Sequence, residues 1–144
     1  MPVADYLDQN PEYYQKIYQT ANWTLNPLQN RDKLLEALKD TIPAVRYWAV
    51  RGIGRLGNDG AKFSKALKPL EKDSCYVVLA ALAWTYDMTG YEGKSKELYK
   101  LLMDMEFRGK TDSDPILYAK MLALNYLVDS KEIAAQFKDK LEWI

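Results

Sequence analysis

Apolar residues recur along this chain at the spacing of α-helices. Stripes in which apolar side chains lie three or four positions apart predict amphipathic helices, because such positions share one helix face. Segments 76–88 and 116–128 are apolar almost all round and predict helices that are covered on several sides. The clearest stripes are Leu34, Leu35 and Leu38; Val45, Ala49, Ile53 and Leu56; and Leu98, Leu101, Leu102 and Met105.

Capping residues, prolines and glycines mark where these helices begin and end. A capping side chain followed by proline predicts a helix start, since proline needs no N–H at the first helical position. Gly57 and Gly90 predict helix ends, and Pro69 predicts an interruption in a helix expected from Ala61 to Lys72. The predicted starts are Asn10-Pro11, Asn26-Pro27, Asp114-Pro115 and Asp129-Ser130.

These marks recur at a fixed interval. Asp40 and Asp73 are 33 residues apart, and so are Gly57 and Gly90. A third copy begins 39 residues after Asp73, at Asp112, and its extra residues fall in the loop 107–114. Each copy is a helix, a short loop and a second helix, which cannot bury its apolar face alone.

The recurrence predicts an all-α fold in which about three helical hairpins stack as an α-α superhelix. We expect one domain over residues 1–144. Its predicted parts are an N-terminal helix within 1–25, repeats over 26–57, 58–90 and 91–129, and a C-terminal helix over 130–144.

Composition removes several classes of function. Lys+Arg and Asp+Glu are equal at 20 each, which disfavours a dedicated nucleic-acid binder. The chain has no histidine and one cysteine, Cys75, so the commonest general base and a thiolate metal cluster are both missing. It has neither an apolar run long enough for a membrane span nor a secretory signal pattern at its start. We therefore expect no cofactor, no nucleic acid and no membrane, and a protein partner.

One motif supports a different hypothesis. Gly52, Gly54 and Gly57 form a Gly-x-Gly-x-x-Gly run that, between a strand and a helix, would hold a dinucleotide pyrophosphate. Under that hypothesis the chain is a nucleotide-binding enzyme. Against it, no further alternation of strands and helices follows along the sequence, whereas a doubly wound sheet needs several strands. If this segment is a helix instead, Gly52 and Gly54 permit close approach of a neighbouring helix.

The run from Asp40 to Gly57 resembles the HEAT repeat. In that family an aspartate and an arginine form a ladder between neighbouring units, and Asp40 and Arg46 occupy the corresponding positions. The second copy keeps Asp73 but has Leu79 in place of the arginine, and the third has Asp112 with Tyr118.

A narrower resemblance covers residues 17–129 and centres on Pro43 to Gly57. The segment Leu34–Gly57 looks like the helical-repeat region that follows the catalytic domain of many bacterial sulfatases. The resemblance implies a non-catalytic accessory part of a sulfatase-like hydrolase, periplasmic or secreted if cut from such a chain and otherwise cytoplasmic. Cys75 does not lie in the sulfatase Cys/Ser-x-Pro-x-Arg motif, so no sulfatase chemistry is assigned to it.

The second helix of each repeat carries candidate interface residues. Aromatic and arginine side chains together are typical of interface anchors. The competing interpretation is that the tryptophans pack between repeats and the arginines only face solvent. The candidate interaction surface is Trp48, Arg51, Arg55, Trp84 and Lys120.

Overall fold

The computed structural model describes residues 11–105 and 115–127, and this part of the chain is helical without any strand. The all-α prediction is therefore confirmed. Two 3₁₀ segments, Gly57–Phe63 and Lys68–Lys72, flank a short α-helix of four residues, Ser64–Leu67. The α-helices are α1 Pro11–Trp23, α2 Arg31–Ala37, α3 Pro43–Gly54, α4 Ser64–Leu67, α5 Tyr76–Met88, α6 Glu92–Asp104 and α7 Pro115–Leu127.

Prolines begin three of these helices. Pro11 begins α1 and Pro115 begins α7, as the sequence predicts, and Pro43 begins α3. The start predicted at Asn26-Pro27 is wrong, because α2 begins only at Arg31. The Asn30 side-chain amide donates to the carbonyls of Trp23 and Asn26, at 3.4 and 3.0 Å, and holds the intervening residues as turns. The start predicted at Asp129-Ser130 and the helix over 130–144 lie outside the described residues.

Both predicted helix ends are confirmed. Gly57 and Gly90 have φ of +59° and +94°, the left-handed region that glycine adopts without steric cost. The interruption predicted at Pro69 is also confirmed. Pro69 lies in the second 3₁₀ segment, and the surrounding stretch forms only four residues of α-helix.

Helix α5 lies at the centre of the described structure. It packs against α3, α6 and α7, while α1 and α2 pack against α3. An almost uniformly apolar helix is stable in water only when neighbours cover it on several sides, so this position follows from its sequence. The residues of α5 that are buried are Val78, Leu79, Ala80, Ala81, Leu82, Ala83, Thr85 and Tyr86.

Helices α3 and α5 approach each other closely at Gly54. A Cβ at this position would lie 2.4 Å from Cζ3 of Trp84 and 2.7 Å from Oγ1 of Thr85. The Thr85 hydroxyl donates to the carbonyl of Val50 at 2.9 Å, which adds a polar contact between the same two helices. Glycine is therefore required here because a helix backbone and an aromatic side chain occupy adjacent space.

Two turns 33 residues apart share one geometry. One carboxylate oxygen of Asp40 accepts the N–H of Ile42, and one of Asp73 accepts the N–H of Cys75, both at 2.9 Å. The guanidinium of Arg46 links the turns. Its Nε and Nη2 donate to the two oxygens of Asp73 at 2.8 and 3.0 Å, and its Nη1 donates to the carbonyl of Asp40 at 2.9 Å. The predicted 33-residue recurrence thus holds for this turn.

We expect Gly54→Ala to lower the free energy of unfolding by about 1–2 kcal/mol, because overpacking against Trp84 outweighs the gain in helix propensity. Urea unfolding followed by circular dichroism measures this. Gly93→Ala in α6 is the matched control, since no atom lies within 4 Å of its added Cβ. A Gly54→Ala variant as stable as the Gly93→Ala variant would contradict the close contact.

We expect the effect of Asp40→Asn to depend on pH. Burial favours the neutral acid, but hydrogen bonds from Lys16 and the Ile42 N–H, with the charges of Lys16 and Arg46, hold the pKa of Asp40 below its ordinary value of 3.8. A depressed pKa stabilises the fold at neutral pH, and this contribution is lost as pH falls through the folded-state pKa.

Urea unfolding from about pH 7 to about pH 3 should therefore show a gap between wild type and Asp40→Asn that narrows below about pH 4. Asp59→Asn, a change at an exposed aspartate, is the control. A gap that stays constant over the whole range would show that ionisation of Asp40 adds nothing to stability.

Candidate interaction surface

The structure brings most of the predicted surface residues to one region. Trp48, Arg51 and Arg55 follow one another at helical spacing along α3 and its C-terminal end. Arg55 is exposed, whereas Trp48 and Arg51 are half-buried. Trp84 reaches the same region from α5 and is also half-buried. Close packing of α3 on α5 at Gly54 is what places Trp84 beside Arg51.

The guanidinium of Arg51 lies against two aromatic rings that also contact each other. Its central carbon is 4.4 Å from the centroid of Trp84 and 5.0 Å from the centroid of Tyr126. The two rings are themselves 5.7 Å apart and tilted by 33°. Cation–π attraction of this kind stabilises a partly desolvated arginine. We call the group formed by Tyr47, Arg51, Trp84 and Tyr126 the Arg51 cluster.

Two tyrosine hydroxyls complete the Arg51 cluster. Nη1 of Arg51 donates to the hydroxyl of Tyr126 at 2.9 Å and to that of Tyr47 at 3.3 Å. The two hydroxyl oxygens lie 2.9 Å apart and share a hydrogen bond. Trp48 extends the aromatic surface, because its ring lies edge-on to the Tyr47 ring with the two centroids 5.1 Å apart. Side chains from α3, α5 and α7 therefore meet around one cation.

The charge of Arg51 is stabilised but not neutralised. Burial opposes ionisation, yet the hydroxyls of Tyr126 and Tyr47 outweigh it and raise the pKa of Arg51 above its ordinary value. Burial and the hydrogen bond with Tyr47 raise the pKa of Tyr126, against the opposing effect of Arg51, so Tyr126 stays neutral.

Arg51 also keeps unused hydrogen-bonding capacity. Over residues 11–105 and 115–127 it forms no ion pair, and its Nε is buried without an acceptor. A buried donor that lacks an acceptor costs about 1–3 kcal/mol. A cation whose described partners are all neutral is suited to a carboxylate or another oxyanion, which would supply the opposite charge at the exposed part of the guanidinium.

Lys120 does not belong to this surface. Its side chain is 5% exposed, and Nζ donates to the carbonyl of Met103 at 3.2 Å. The sequence predicts Lys120 on the candidate interaction surface, but the side chain turns toward the C-terminal end of α6. A cation there is favourable, since the last carbonyls of a helix lack intrahelical donors.

Sequence reasoning missed Tyr47 and Tyr126. Tyr47 precedes Arg51 by one helical turn, so its position along α3 was a usable signal. Tyr126 is 75 residues from Arg51, and only the packing of α7 on α5 brings it close.

The glycine run does not form a phosphate-binding turn. Gly52 and Gly54 lie inside α3, and Gly57 follows its C-terminal end. The space beside Gly52 holds the Leu34 side chain, and that beside Gly54 holds the Trp84 ring. The strand and turn that a pyrophosphate loop needs are absent from this described segment, which removes the geometric basis of the nucleotide-binding hypothesis.

Metal and membrane chemistry find no support in the described ranges. No group of three Cys, Asp or Glu side chains there could hold a metal ion, and no helix there is long and apolar enough to cross a bilayer. Comparison with family models, curated proteins and solved structures gives no match.

We expect Arg51→Lys to lower the free energy of unfolding by about 1–2 kcal/mol, because lysine loses the planar stack on Trp84 and the paired tyrosine contacts. Arg55→Lys, the same change one turn further along, should stay within about 0.5 kcal/mol because Arg55 is exposed. Urea unfolding followed by tryptophan fluorescence measures both. Equal effects at the two positions would mean that the Arg51 cluster does not stabilise the fold.

Proposed function

We propose that this chain is a non-catalytic helical-repeat domain that binds a protein through the surface around the Arg51 cluster. The observation that carries the proposal is the charge of Arg51, which has no ion-pair partner among the described residues and lies against the rings of Trp84 and Tyr126. Half-buried Trp48 and exposed Arg55 lie along the same helix and its C-terminal end. Interfaces are enriched in tryptophan, tyrosine and arginine, and truncation of such anchors costs about 2 kcal/mol or more.

The finer architecture we propose is a HEAT-like superhelix. What supports it is the pair of matched turns at Asp40 and Asp73 and the bidentate contact of Arg46 with Asp73, the next aspartate in the recurrence. In such an arrangement α3, α5 and α7 are the second helices of successive hairpins. Contacts of α5 with both α3 and α7 agree with that order.

The partner contact we propose is an acidic one. A carboxylate of the partner would pair with Arg51 and Arg55, while an apolar or aromatic side chain would cover Trp48. Arg51 is already held by Trp84 and Tyr126, so little side-chain entropy is lost when it binds. Arg51 differs in this respect from exposed lysines elsewhere on the chain, whose flexible side chains would have to be ordered by the partner.

The partner we propose is the catalytic domain of a sulfatase-like hydrolase, and this chain is its accessory part. The support is the resemblance of Leu34–Gly57 to the helical region that follows such catalytic domains. The residues of that segment have a structural explanation as well: Arg46 joins the two turns, Gly54 admits Trp84, and Trp48 and Arg51 form the candidate surface.

The test is calorimetric titration of the chain with the separately expressed catalytic domain of the sulfatase-like hydrolase encoded with it. We expect Trp48→Ala combined with Arg55→Glu to weaken binding at least about tenfold, the effect of losing one interface anchor. Both side chains are at least partly open to solvent, so the double variant should fold, and circular dichroism checks this.

The control is Tyr18→Ala combined with Arg31→Glu, an exposed aromatic residue and an exposed arginine from α1 and the start of α2. This variant should bind like wild type. Equal binding by both double variants would refute the surface around the Arg51 cluster. Absence of any such hydrolase, or of binding to it, would refute the sulfatase part of the proposal.

A further inference from the structure

A second, separate groove lies on the side of the fold formed by α2, α4 and the 3₁₀ segments. It encloses about 530 Å³ and has an apolar lining made by Leu35, Leu38, Phe63, Ala66, Pro69 and Leu70. Its deepest residues belong to the core, since Leu38 and Leu70 are 3% and 7% exposed. None of its lining residues belongs to the Arg51 cluster. We call this feature the lysine groove.

The charge of the lysine groove has one sign. Lys39, Lys62 and Lys65 line it, and no acidic residue does so in the described part of the chain. All three lysines are exposed, and none forms an ion pair there. Glu71, next to Leu70 of the lining, accepts from the Tyr86 hydroxyl and from Lys94, at 2.9 and 3.3 Å. Asp40, next to Lys39, is paired with Lys16. The positive charge around the groove is therefore left for a binding partner.

The shape of the lysine groove favours a peptide over a membrane. A surface that inserts into lipid projects large apolar side chains beyond its basic residues. Here the large apolar residues are recessed, and no exposed large hydrophobic residue belongs to the lining. The apolar side chains that fill the groove must come from the partner. Strand addition needs an open sheet edge, which a helical rim does not offer, so the fitting mode is a helix in a groove.

We propose that the lysine groove binds an amphipathic acidic helix of a partner protein. Apolar side chains one turn apart on that helix enter between Phe63 and Leu70, and acidic side chains on both flanks pair with Lys39, Lys62 and Lys65. Attraction by the lysines sets the orientation and the salt dependence of binding, and burial of the apolar side chains supplies most of the affinity.

The test is an ¹⁵N–¹H correlation titration of the full chain with a designed probe. The probe is a stapled helical peptide of about 16 residues, with Leu at positions i, i+4 and i+7 and Glu at most other positions. We expect amide shifts concentrated at residues of the lysine groove. A charge-reversed peptide with Lys in place of Glu should bind at least about tenfold more weakly.

Two variants separate the charged from the apolar contribution. Lys62→Glu combined with Lys65→Glu should weaken binding at least about tenfold, and Ala66→Trp should abolish it by filling the groove without a charge change. Lys100→Glu is the control, an exposed lysine of α6, and should bind within about twofold of wild type. All substituted positions are exposed, and circular dichroism verifies folding.

Several results would overturn the proposal. These are shifts spread outside the lysine groove, equal binding of the charge-reversed peptide, or unchanged binding by Ala66→Trp. Sedimentation with phosphatidylglycerol vesicles tests the competing possibility that the groove binds a lipid surface. If the chain binds vesicles but not the peptide, and Lys62→Glu combined with Lys65→Glu abolishes vesicle binding, the ligand is a lipid surface and not a helix. Because the lysine groove and the Arg51 cluster share no residue, each proposal fails or succeeds independently.

Discussion

The close approach of α3 to α5 at Gly54 is the contact on which the rest of the described structure depends. Without a side chain at this position, the Trp84 ring can lie against the α3 backbone, and Thr85 can donate to the carbonyl of Val50. Helix α5 is then close enough to bury its uniformly apolar surface. The same approach sets the distance from Trp84 to Arg51, so the fold and the candidate surface share one steric requirement.

Polar contacts define the relative position of these helices more narrowly than apolar packing could. Arg46 reaches from α3 to both oxygens of Asp73 just before α5, and their side chains are 15% and 4% exposed. Removal of one partner from a pair this buried costs about 3–5 kcal/mol, because the other charge is left without compensation. At the opposite side of α3, Arg51 meets neutral hydroxyls and aromatic rings. The two arginines thus have different roles, five residues apart on one helix.

Local features of the sequence predicted most of the fold, and long-range contacts accounted for what was missed at the candidate surface. Gly57 and Gly90 end helices because their backbone conformation is a local property. The helix start predicted at Asn26-Pro27 was wrong, because the Asn30 side chain donates to carbonyls at and just after the end of α1. Two local signals, the proline and the asparagine, compete there. At the candidate surface, Trp48 and Arg51 follow from helical spacing. Tyr126 does not follow from helical spacing, because only the tertiary fold brings it to Arg51. Lys120 is buried and donates to a carbonyl of α6, a contact that the sequence periodicity does not predict.

The protonation of the Arg51 cluster has a consequence for how binding there would respond to the surroundings. Arg51 and Tyr126 both have raised pKa values, so one stays cationic and the other neutral, and the chain has no histidine to titrate near neutrality. From mildly acidic to mildly alkaline conditions the electrostatic character of the cluster is therefore constant. Any acid-triggered release or capture at this surface would have to originate in the titrating groups of the molecule that it binds.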